Sequence, residues 1–189
     1  AFGSGDRDAL SPIGPIGRDA LANSYAAEHR AFLLGALGKT DEALVEYQPL
    51  IGGETGRAVR MKLAAAAMLQ DAGRKADAMA ILAGDSPSLA VGRSQVSEGR
   101  RLPTAIDSPA PGISELFARL ASDVGQDRAS QIGLALGRLA TFLAPPNAEA
   151  WLVTANMLAG DDKPQAALTA LSHISPTDPF AVQATSLRI

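Results

Sequence analysis

The chain has no cysteine, which excludes disulfides and thiolate metal sites and leaves the redox compartment open. Aromatic residues are scarce at 4%, whereas hydrophobic residues reach 47% and alanine is abundant. A sheet core needs more aromatic and β-branched side chains, so this profile suits closely packed helices. A basic excess is missing too. The formal charge is −3 and the pI near 5.4, and nucleic acid is not expected as a partner, because a phosphate backbone calls for a basic footprint. No uncharged run approaches the roughly 18 residues of a membrane span. His29 and His173 are the only histidines and neither has a second ligand four residues on, so no metal and no cofactor is expected. No serine–histidine–acid set can be assembled from neighbouring residues, and the chain reads as non-enzymatic.

What is present is helical period. Over residues 148–179, two patterns of about a dozen residues flank a tight polar turn. Trp151, Ala155 and Leu158 mark one face of the first, and Ala167, Leu171 and Ile174 one face of the second. Small residues belong where two antiparallel helices cross closely, which places Ala155 and Ala167 at the crossing. Asp162 with Gln165 reads as a weak capping box, Pro164 suits the first turn, and Pro176 and Pro179 end the second helix. One such hairpin exposes too much apolar surface to stand alone.

Residues 1–17 look like a lead-in or the end of a preceding repeat. Residues 18–84 carry two hairpins. A helix over 18–37 is stopped by Gly38; Thr40 is a plausible N-cap for the next, whose stripe is Ala43, Leu44, Tyr47 and Leu50. A helix over 57–72, carrying Met61, Ala65, Ala66 and Leu69, is turned at Gly73 and followed by Ala78, Met79 and Leu82. The glycine-rich run 52–57 lacks the Lys-Ser/Thr ending of a phosphate loop and lies between helices, so it reads as a turn. Residues 85–112 form a Pro/Ser-rich spacer. It is either disordered or packed in extended form through Val91, Val96, Leu102 and Ile106, and its Arg100-Arg101 pair is either solvated or a docking point for an acidic partner. Two more hairpins are expected over 113–180, with helices over 114–125 and 127–144, Gly133 and Gly137 as close-approach residues, and Asn147 capping the helix that follows. Residues 181–189 read as the start of a further helix.

Intervals recur along the chain. Gly38 to Gly73 and Ala43 to Ala78 are 35 residues; Phe117 to Trp151, Gly133 to Ala167 and Pro145 to Pro179 are 34. The spacing resembles the tetratricopeptide repeat, most clearly over 148–179 and at LGKTDEALVEY (37–47), and the layout is similar to bacterial tetratricopeptide arrays. The position of Trp151 is held by Lys62 in the second hairpin, which is therefore expected to be irregular or packed through Met61. The resemblance implies an all-α fold, a right-handed α-solenoid of antiparallel hairpins interrupted by the spacer. It also implies a scaffold that binds a peptide or protein segment in its concave groove. The groove positions implied by register are Glu28, Phe32, Arg60, Arg119, Ser122, Glu149 and Asn156, with a solvated helix face as the plain alternative for each. A second expectation is a helical scaffold region of a larger enzyme or of a secretion or envelope assembly, and a third is self-association through a terminal hairpin. Because the chain begins at Ala1, a processed or excised piece is expected, with the bacterial cytoplasm or, after signal-peptide removal, the periplasm both open.

Overall fold

Local chemistry sets the helix ends. In the computed structural model, which describes residues 20–53, 55–125 and 131–187, the described residues contain ten helices and no strand. They are α1 (Ala20–Ala36), α2 (Thr40–Tyr47), α3 (Gly56–Asp71), α4 (Lys75–Ile81), α5 (Pro87–Ser97), α6 (Pro109–Gly125), α7 (Gln131–Leu143), α8 (Ala148–Gly160), α9 (Pro164–Ser172) and α10 (Ala181–Ser186). The all-α expectation holds. Thr55 caps α3 by accepting from the Ala58 amide at 3.1 Å, and Asn147 caps α8 by accepting from Ala150 at 3.2 Å. Pro87 and Pro164 sit in the first turns of their helices, where no N–H is needed.

The turns inside α1–α2, α3–α4 and α8–α9 share one geometry. Gly38, Gly73 and Asp162 take left-handed φ values of +73°, +76° and +54°. In each turn the next residue's amide reaches back across it: Lys39 to the Leu34 carbonyl at 2.9 Å, Arg74 to Leu69 at 2.8 Å and Lys163 to Leu158 at 2.9 Å. This is the Schellman closure, which satisfies carbonyls that a helix end leaves open. Two expected caps are corrected by it. Asp162 ends α8 rather than capping α9, and Thr40 is already helical, because the N-cap position is taken by the basic residue that closes each turn: Lys39, Arg74 and Lys163. Their carbonyls accept from Ala43, Ala78 and Ala167. Those alanines are buried at the helix crossings.

The chain divides into two units, Ala1–Gly112 and Ile113–Ile189. In the first, Ala31, Phe32 and Leu34 of α1 meet Ala43 and Tyr47 of α2 and Met61, Ala64 and Ala65 of α3 in one core cluster. Phe32 lies edge-on to Tyr47 with ring centroids 6.3 Å apart. Ten of the sixteen residues of α3 are buried, which makes it the central helix of this unit. Lys62 does not plug the core; its amine reaches the Ala83 carbonyl at 3.3 Å while Met61 is fully buried, as one of the two expectations had it.

Of the two expectations for the Pro/Ser-rich stretch, the structure has packing through Val96, Leu102 and Ile106, but not in extended form throughout. The stretch contains an eleven-residue helix, α5, packed on α3 and α4, with Leu89 and Val96 buried. Gly92 looks like a helix breaker but serves a close approach: a Cβ there would lie 2.8 Å from Leu63 Cδ2. Arg93 donates to the carbonyls of Leu82 (2.5 Å) and Gly84 (3.0 Å), holding α5 to the end of α4. Residues 85–86 and 98–108 of this stretch are non-helical, and in the second of these Leu102 is 1% exposed.

In the second unit Ala118, Ala140 and Ala150 bring α6, α7 and α8 together. Ser114 donates to the Ala140 carbonyl at 2.8 Å, and Asn147 donates to Ser114 at 3.0 Å and to Glu115 at 2.9 Å. Ala155, Ala167 and Leu171 are buried between α8 and α9. Trp151 stacks on His173 with centroids 4.0 Å apart and donates its indole N–H to Pro145 at 2.8 Å. Helix α6 starts at Pro109, ahead of the expected Ser114, and α7 is described from Gln131, the expected start at Asp127 lying outside the described residues.

Two substitutions test this packing through the single tryptophan. At Gly137 an added Cβ would meet Thr154 Oγ1 at 2.7 Å, so Gly137→Ala lowers stability by about 1–3 kcal/mol. Asp162→Gly relieves a left-handed non-glycine residue and raises stability by roughly 0.5–1 kcal/mol. Urea unfolding followed by Trp151 emission checks both; shifts of the opposite sign refute the turn and contact assignments.

Candidate functional site

The surface of α3 that α1, α2, α4 and α5 leave uncovered is taken by the non-helical segment 100–107. Gln70 holds that segment as a peptide is held: its Nε2 donates to the Arg100 carbonyl at 2.7 Å and its Oε1 accepts from the Leu102 amide at 3.0 Å. Thr104 donates its hydroxyl to the Leu63 carbonyl at 3.0 Å, and Arg60 donates to the Thr104 carbonyl at 3.4 Å. Arg101 forms two bonds to Asp71, at 3.0 and 2.8 Å, and one to Asp107 at 2.9 Å. Side chains alternate along the segment. Leu102 and Thr104 are buried and Ile106 packs on the α1–α3 core cluster, while Arg101, Pro103 and Asp107 face out.

Beside Ile106 lies a cleft of about 360 Å³, walled by Phe32 and Gly35 of α1, Met68 and Asp71 of α3, and Ala105 and Asp107. Its electrostatics are local. Hydrogen bonds donated to Asp71 and then to Asp107 hold the Arg101 guanidinium protonated more firmly than usual. The Arg101 hydrogen bond in turn holds the Asp107 carboxyl below its ordinary value, against a smaller opposing effect of burial.

The expected groove residues fall into two groups. Glu28, Phe32 and Arg60 do not face solvent, being 1%, 2% and 3% exposed. Glu28 accepts from both Nε (3.1 Å) and Nη2 of Arg57, an ion pair linking α1 to α3; Phe32 is core; Arg60 lies under the 100–107 segment. In the second unit Ser122 and Asn156 are exposed, Glu149 is half-buried, and Arg119 is paired with Asp123 at 3.7 Å. The residues that anchor the 100–107 segment, Gln70, Asp71, Leu102 and Thr104, carried no sequence motif; the nearest signal was Arg100-Arg101. Arg100 pairs with Glu98 and Arg101 with Asp71 and Asp107, so both find partners in their own unit.

Among the described residues no group of three or more His, Asp or Glu could hold a metal, and no helix is long and apolar enough to cross a membrane. His29 lies edge-on to Phe32, and His173 carries the stack with Trp151. No family model, curated protein or solved structure matches the chain.

Arg57→Ala takes away a guanidinium that bonds the buried Glu28 carboxylate, so it costs about 2 kcal/mol. Thermal unfolding by circular dichroism checks this; a neutral Arg57→Ala contradicts it. Because the folded-state pKa of Asp107 is depressed, its contribution is present above the unfolded value of ~3.9 and fades as pH falls through the lower folded value. Asp107→Asn therefore lowers the unfolding temperature at pH 6, and by less as the pH falls toward 2. An equal effect at both pH values would show that the carboxylate charge plays no part.

Proposed function

We propose that the chain is a non-enzymatic protein-binding scaffold, a right-handed α-solenoid of tetratricopeptide-like hairpins that takes a peptide or protein segment in its groove. The observation that carries this reading is the recurrence of one turn geometry at the expected interval. Gly38-Lys39 and Gly73-Arg74 are separated by 35 residues, each closed by the same reach-back bond and each followed by a buried alanine, Ala43 and Ala78. Asp162-Lys163 and Ala167 repeat the arrangement. Stacked hairpins of this kind present pre-arranged helices, so a ligand segment pays the ordering cost and the scaffold does not. A second support is the 100–107 segment, which is itself a non-helical peptide whose main-chain groups are bonded by side chains of α3.

The reading is tested by placing a photo-crosslinking residue at Ser122 or Asn156, both exposed, and at exposed Thr169 on α9 as the comparison. In extract of the source organism, a discrete crosslinked partner is expected from Ser122 and Asn156 and not from Thr169. Uniform labelling from all three positions, or none from any, removes the groove.

A further inference from the structure

We propose that residues 100–107 are a built-in occupant of the α3 binding strip, and that the partner segment which displaces them has an arginine, then a leucine, and four residues beyond it an apolar side chain larger than isoleucine. This rests on the scaffold reading and names the ligand of its first unit.

The strip recognises groups that any peptide offers. It engages the Arg100 carbonyl, the Leu102 amide and the Thr104 carbonyl through Gln70 and Arg60. Such contacts are transferable from one extended segment to another, because they do not depend on side-chain identity. Selectivity comes from three further features. Asp71 receives the Arg101 fork, the Leu102 site is closed to solvent, and Thr104 bonds the Leu63 carbonyl.

The resident segment fits this strip imperfectly. Its anchoring arginine is 56% exposed in its side chain and shares its charge between Asp71 and Asp107, the second of which belongs to the segment itself. Beside Ile106 about 360 Å³ remains unfilled between Phe32, Gly35 and Met68. A larger apolar side chain at that position would bury against those walls, which Ile106 leaves open. A competitor carrying phenylalanine there gains contact without giving up any bond the resident segment makes. The segment is also bounded for release: Gly99, at φ +74°, ends α5 on one side and α6 begins at Pro109 on the other, so 100–107 can lift between two helices that stay formed.

The probes are two fluorescein-labelled peptides, GRRLPTAIDS (residues 99–108) and the same peptide with phenylalanine in place of the Ile106 residue. They are titrated against the full chain and its Leu102→Asp variant, which withdraws the resident leucine. The variant is expected to bind both, the phenylalanine peptide about fivefold more tightly, and the parent roughly tenfold more weakly because its strip is occupied. Adding Asp71→Arg to the variant should weaken either peptide about tenfold. A variant with unchanged helix content that binds neither peptide overturns the proposal, as does equal binding by parent and variant. Should Leu102→Asp lose its helix content, hydrogen exchange on the parent decides. Faster exchange of the Leu102 amide, by roughly tenfold, than of the α3 amides at Ala65 and Ala66 supports release, and exchange of all three together overturns it. Because Ser122 and Asn156 lie in the other unit, their crosslinks survive a failure here, which separates this inference from the scaffold reading.

Discussion

The structure depends on a turn that permits no slack. When a helix ends in a left-handed residue and the very next amide bonds back to the helix just finished, the following helix begins within two residues and must lie against its predecessor. At Gly38, Gly73 and Asp162 that closure leaves the fourth residue of the new helix facing the old one at close range. Only a methyl fits there, and Ala43, Ala78 and Ala167 supply it. Larger side chains, Tyr47, Leu82 and Leu171, then fill the space a turn farther on, where the helices have diverged.

Such hairpins bury one face each and leave another in need of cover. In the first unit the need is greatest at α3, which is buried on most of its circumference yet still carries Arg60, Gln70 and Asp71. A further helix, its backbone bonds being internal, cannot give Arg60 and Gln70 main-chain partners. An irregular segment can, because its carbonyls and amides are free to be bonded. The polar residues of α3 and the non-helical character of 100–107 therefore explain each other.

Much of the architecture was legible in the residues. The helical periods, the stops at Gly38 and Gly73, the cap at Asn147 and the small residues at Ala43, Ala155 and Ala167 follow from local rules, and local rules are what a sequence displays. Helix α5 was not legible, since Pro87 and Gly92 both look like breakers; the proline is tolerated by its place in the first turn and the glycine is demanded by Leu63, a neighbour 29 residues distant. Asp162 was misassigned for a related reason, because an acidic residue before a proline reads as a cap unless the closing bond from Lys163 to Leu158 is known. The cleft was hidden altogether. Gln70 and Leu102 are unremarkable singly, and register placed Glu28, Phe32 and Arg60 on a face that Arg57 and the 100–107 segment close over.

One face has no such cover among the described residues. Along α7, Ile132, Leu139 and Phe142 are 68%, 47% and 81% exposed, at offsets of seven and three that set them in a row. A formal charge of −3 gives molecules little mutual repulsion to keep such rows apart. Such a row is a surface through which copies of the chain adhere as it is concentrated, so clouding of a dense solution is a property of the outside of one helix rather than of the cleft.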